Sequence, residues 1–119
     1  MKKAEKITVF VKMGGSFITN KSVADSLDGE RIAAAARMLK EAIDKSEKAG
    51  RKISLVLGHG AGSYGHMDAV RYNAVEGVHS KHGWEGLYRI RDSMTLMNLH
   101  FVRHCREGGL NPVTVSPFA

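Results

Sequence analysis

The chain has a single cysteine, two prolines among 119 residues, and only 7% aromatic residues. The lone Cys105 has no internal partner, which excludes a disulfide-stapled extracellular scaffold and makes a reducing, cytoplasmic setting the expectation. No apolar run approaches the roughly 20 residues that span a bilayer, so no transmembrane helix and no membrane partner are expected. The apolar stretch near the N-terminus is short, is broken by Thr8 and Lys12, and reads as a strand rather than a signal peptide. Acidic residues are in the minority, 12 against 18 Lys plus Arg, for a net charge of +6. That excess favours anionic partners such as phosphates, nucleotides, nucleic acid or acidic lipid, without choosing among them. The few aromatics, Trp84, Tyr64 and Tyr72 among them, are not interleaved with Lys or Arg in a base-stacking stripe, so nucleic acid is not the expected partner. With 43% hydrophobic and 25% charged residues, the chain has the balance of one ordinary globular domain, not of a disordered segment.

Glycine punctuates what is there. Ile7–Met13 is a β-branched, apolar run ended by Gly14-Gly15, as for a buried strand entering a tight loop. After a polar connection, Asp28 is a helix N-cap with Glu30 in the first turn. Ile32, Ala35, Ala36, Leu39, Ala42 and Ile43 then recur at helical spacing, and Gly50 closes the helix. Ile53–Leu57 is a second short apolar run. Strand, helix and strand make a βαβ unit, which implies parallel strands in a sheet covered on both faces. A helix over Tyr64–Tyr72, an irregular Val75–Gly83, a long helix over Trp84–Arg106 and a third strand at Pro112–Val115 complete the pattern. The expected fold is a three-layer α/β/α sandwich with a mainly parallel sheet. In the long helix Leu87, Ile90, Met94, Met97, Phe101 and Cys105 form one stripe. Leu96 and Leu99 point elsewhere, toward a subunit contact or a further part of the protein.

Two glycine loops carry the chemistry. In Lys12-Met13-Gly14-Gly15-Ser16, glycines at the carboxyl end of a strand let backbone N–H groups approach an anion, with Lys12, and later Lys21, adding full positive charge. A plain tight turn with solvated lysines is the alternative. The second loop, Gly58-His59-Gly60-Ala61-Gly62-Ser63-Tyr64-Gly65-His66, again follows a strand and precedes a helix. It is neither a Walker A loop nor a dinucleotide fingerprint. Both loops fall at carboxyl ends of parallel strands, where open α/β sheets bind ligands, and together they point to phosphate chemistry. His66, on the first helical turn, can donate to a phosphate oxygen or serve only as an exposed histidine. His100 and His104 are four apart beside Cys105, yet no Glu completes a zinc-binding H-E-x-x-H pattern, and no metal site is expected in the chain. His79 and His82 read as surface histidines.

The pattern K-x-G-G-S, a lysine at the spacing of Lys21, H-G-x-G-S-[FY]-G-H and the late Asn111–Phe118 stretch closely resembles isopentenyl phosphate kinases of the amino acid kinase superfamily, from about Ile7 to Phe118. The resemblance implies an amino acid kinase-like fold and ATP-dependent phosphorylation of a phosphomonoester, isopentenyl phosphate to isopentenyl diphosphate, in isoprenoid biosynthesis. It implies ATP with Mg²⁺ bound through it, and a homodimer. Lys12 would neutralise the transferring phosphoryl group and Lys21 would also reach the phosphates. Gly14, Gly15, Ser16 and Gly62 would hold nucleotide phosphates, while Gly60, Ala61, Gly65 and His66 would hold the acceptor phosphate. Ala61 departs from the commoner glycine, and its methyl fits if the local φ is negative. Residues 1–119 match the N-terminal, phosphate-acceptor part of such a domain. Because the nucleotide-binding half is not in this sequence, the 119 residues alone are expected to be inactive. A fosfomycin-type phosphonate kinase and a non-catalytic anion-binding or dimerisation module are the alternative readings.

Overall fold

A computed structural model describes residues 5–20, 23, 26–64 and 66–116, with the side chains of residues 66, 67, 68 and 75 excepted. Two strands, β1 (Glu5–Met13) and β2 (Arg51–His59), pair in parallel in a register running from Glu5 opposite Arg51 to Met13 opposite His59. The helices are α1 (Gly15–Ile18), α2 (Gly29–Lys48), α3 (His66–Arg71) and α4 (Lys81–Glu107), with a 3-10 turn at Ala74–Glu76. The βαβ unit is therefore present, and it brings both glycine loops to the same end of the sheet.

Local chemistry sets the helix limits. The Asp28 carboxylate accepts from the Arg31 N–H at 3.1 Å, satisfying an orphan donor of the first turn of α2, and Gly50 follows the helix at φ 87°. Ser80 caps α4 by accepting from the Gly83 N–H at 3.2 Å, which starts that helix three residues before the expected Trp84. The segment expected to be irregular from Val75 thus contains a 3-10 turn and the first turn of α4. α3 begins at His66 rather than the expected Tyr64, and it ends at Arg71, one residue before the expected Tyr72, where Asn73 turns left-handed at φ 53°. The one-turn α1 carries no apolar period long enough to announce it.

One core joins the elements. Met13, Ile32, Ala36, Tyr64, Met97, Phe101, Cys105 and Leu110 are buried together, with Leu55, Leu57 and Met94 packed against them. The stripe read along the long helix holds, since Met97, Phe101 and Cys105 are its buried residues and Leu96 and Leu99 stay exposed. Burial alternates along both strands, so one sheet face meets the helices. On the other face Phe10 is 77% and Val56 45% exposed. The expected cover on both faces is thus not present among the described residues, whose helices form a layer on one face only. The third strand is also corrected: Pro112–Val115 joins no ladder among the described residues, and Val113 and Val115 are 88% and 85% exposed. Pro112 has no N–H to give a ladder, and Thr114 instead donates to the Asn98 side chain of α4 at 2.8 Å. The α/β class and the parallel pairing stand.

Cys105 is fully buried, and burial pushes its thiol from the ordinary 9.0 up to about 11. A thiol that holds its proton longer in the folded state than in the unfolded one supports folding below the unfolded value and loses that support as pH rises from about 9 to about 11. Labelling by a thiol reagent at pH 8 is expected to proceed only at the rate of unfolding, and fast labelling of native protein would contradict this burial.

Candidate phosphate-binding site

The site begins where β1 and β2 end. Strand alternation puts Met13 into the core and Lys12 on the open face, opposite Gly58, where the ammonium makes no ion pair among the described residues. The chain then turns at Gly14 into α1. Helix geometry leaves the Gly15 and Ser16 N–H groups without an acceptor inside that turn. The second loop folds back onto the first. The Gly60 N–H donates to the Met13 carbonyl at 3.0 Å, extending the strand pairing by one residue.

Beyond that bond the two loops touch backbone to backbone. A Cβ on Gly60 would lie 2.6 Å from the Gly15 nitrogen, and one on Gly15 would meet the Gly62 backbone. Gly62 itself has φ 53° and faces the Thr19 side chain and the Gly15 carbonyl. Side chains at these positions would drive the loops apart. Ala61 is not among the positive-φ residues, so its methyl fits where the resemblance favours glycine.

Thr19 ties the loops together. Its hydroxyl donates to the Gly15 carbonyl at 2.6 Å and accepts from the Ser63 N–H at 3.2 Å, while the Ser26 N–H reaches the Ser63 hydroxyl at 3.4 Å. Thr19 belongs to no motif read in the sequence. A hydroxyl four residues after Gly15, in reach of its carbonyl, was the available signal. Gly14, Gly15, Ser16, Gly60, Ala61 and Gly62 are therefore brought together, with Lys12 on the adjoining strand. The expected site residues Lys21 and Gly65 lie outside the described residues. His66 opens α3, and its side chain is also outside them. A surface hollow lined by Leu27, Gly29, Ala33, Arg37 and His104 contains no residue of either loop.

Comparison with known proteins gives this geometry a context. No family model matches the chain. An isopentenyl phosphate kinase of Methanocaldococcus jannaschii is 33% identical over 66 residues, which is 56% of this chain and 25% of the relative. One of Arabidopsis thaliana is 27% identical over an alignment covering 98% of this chain and 44% of that protein. A T. acidophilum isopentenyl phosphate kinase in a product complex superposes with a TM-score of 0.70 over 93% of this chain, at 26% identity. The chain is similar to isopentenyl phosphate kinases. A crystal structure of an isopentenyl phosphate kinase substrate complex shares the fold, at a TM-score of 0.69 and 24% identity over 94% of this chain. The fold is that of the amino acid kinases, as the sequence motifs imply. The chain spans less than half the length of these relatives: 25% and 44% of the two curated proteins and 42% of each solved chain.

Other candidates from the sequence are placed differently. The described residues hold no group of three or more His, Cys, Asp or Glu that could bind a metal, and His104 pairs with Glu107 at 3.0 Å. No helix among the described residues is long and apolar enough to cross a membrane.

Proposed function

We propose that this chain supplies the acceptor-phosphate side of an ATP-dependent kinase that converts isopentenyl phosphate to isopentenyl diphosphate, a step of isoprenoid biosynthesis. The observation that carries the reading is the convergence of two glycine loops at the carboxyl ends of parallel strands, beside Lys12. The names of the similar proteins support the choice of acceptor.

In this reading an oxygen of the acceptor phosphate attacks the γ-phosphorus of ATP, the bond from that phosphorus to the β,γ-bridging oxygen breaks, and ADP leaves. Charge collects on the transferring group, and positioned cations and N–H groups lower its energy. Lys12 and Lys21 supply the charge. Gly14, Gly15, Ser16 and Gly62 offer N–H groups to the nucleotide phosphates, and Gly60, Ala61, Gly65 and His66 form the acceptor loop. Mg²⁺ enters this reading as an ion carried by the ATP phosphates, as the resemblance implies. Exposed Trp84, Tyr88, Leu96 and Leu99 on α4 support a homodimer contact, and the lone Cys105 supports a cytoplasmic setting.

The test is an ADP-release assay on the protein in its full natural length, with isopentenyl phosphate, ATP and Mg²⁺. Turnover with isopentenyl phosphate and none with fosfomycin is expected; no turnover with isopentenyl phosphate removes the reading. The 119-residue segment alone is expected to give no turnover, because groups on the nucleotide side are also needed.

A further inference from the structure

His59, the last residue of β2, is not among the site residues, yet its ring is held on three sides. It packs on Phe101 with ring centroids 4.4 Å apart, its Nδ1 lies 3.0 Å from the Gly60 carbonyl oxygen, and its Nε2 lies 3.0 Å from Asn98 Nδ2. The Gly60 carbonyl only accepts, so Nδ1 carries the proton and donates. Nε2 is then an acceptor, and the Asn98 amide donates to it. The Asn98 Oδ1 in turn accepts from the Thr114 hydroxyl at 2.8 Å. Every group has one role and none conflicts, which assigns the Nδ1–H tautomer, the less common one for a free imidazole.

The Gly60 carbonyl and the Ala61 N–H belong to one planar trans peptide and point in opposite directions. Holding the carbonyl against His59 turns the Ala61 N–H away from the His59 ring, and that N–H has no acceptor among the described residues. We infer that His59 is a positioning residue, locked in one tautomer by Asn98 and Thr114, which aims the Ala61 N–H at the acceptor phosphate. The inference rests on the acceptor-loop reading for its ligand and on the hydrogen-bond chain for its geometry.

Two substitutions separate positioning from packing. An asparagine amide can take the place of Nδ1 and still donate to the Gly60 carbonyl, whereas a glutamine amide reaches the place of Nε2. In the full-length protein, His59→Gln is expected to raise KM for isopentenyl phosphate about tenfold, His59→Asn by less than about threefold, and neither to change KM for ATP. Nitrogen-15 NMR of labelled imidazole is expected to show the Nδ1–H tautomer, shifting toward Nε2–H in Asn98→Leu. Equal acceptor KM values for His59→Asn and His59→Gln, or an Nε2–H tautomer in the unsubstituted protein, would overturn the inference. If His59→Gln does not fold, Asn98→Leu replaces it in the kinetic comparison. If the unsubstituted protein does not phosphorylate isopentenyl phosphate, the kinase reading fails by itself, and the same variants are compared for inorganic phosphate binding. Weakening by about tenfold in His59→Gln alone then supports the relay, and equal binding overturns it.

Discussion

His66→Ala in the full-length protein is expected to weaken acceptor binding and turnover far more than His79→Ala. His66 opens α3, after the second glycine loop in the chain. A hydrogen bond to a charged phosphate is worth about 1.5–3 kcal/mol, which corresponds to roughly one to two decades in binding. If that bond tightens as charge moves during transfer, kcat falls as well as KM rising. His79 is engaged with the Glu76 carbonyl at 2.6 Å, in the 3-10 turn. His66→Gln is expected to keep part of the function, because an amide still donates. Steady-state kinetics with acceptor varied at saturating ATP decide the matter. Near-normal kcat/KM for a folded His66→Ala protein would remove the residue-level link to the kinase reading.

Gly62→Ala is expected to cost about 2–4 kcal/mol of stability, the sum of a side chain forced into positive φ and of overpacking. The new methyl would meet both the Thr19 side chain and the Gly15 carbonyl, the groups that join the loops. Gly14→Ala is the matched control: φ is −65° there, nothing lies within 4 Å of an added Cβ, and the expected change is within about 0.5 kcal/mol. Thermal unfolding of the two variants should separate them by about 10 °C or more. Equal melting temperatures would mean that the loops are not packed backbone to backbone.

Much of the site was legible because glycine placement is a local signal. A glycine pair closing an apolar run, and four glycines within Gly58–Gly65, mark the two loops without any knowledge of their contact. The α2 cap at Asp28 and the stripe through Met97, Phe101 and Cys105 were legible for the same reason, since both follow from spacing along one helix. The long-range bonds of Thr19, Asn98 and Thr114 were not. They reach partners 44, 39 and 16 residues away, and no local pattern encodes such a bond. The strand pattern misled at Pro112–Val115 because a β-branched run records a preference for extension. Pairing also needs a free neighbouring edge and a complete set of N–H donors.

By itself the sequence determined the α/β class, the parallel βαβ unit and the identity of the glycine loops, because helical period, strand length and glycine position act over a few residues. Only the tertiary structure decided that the loops meet through bare backbone, that Thr19 joins them, and that His59 carries its proton on Nδ1. Those features are set by distances between segments remote in the chain, where a hydrogen bond forms or fails within a few tenths of an ångström.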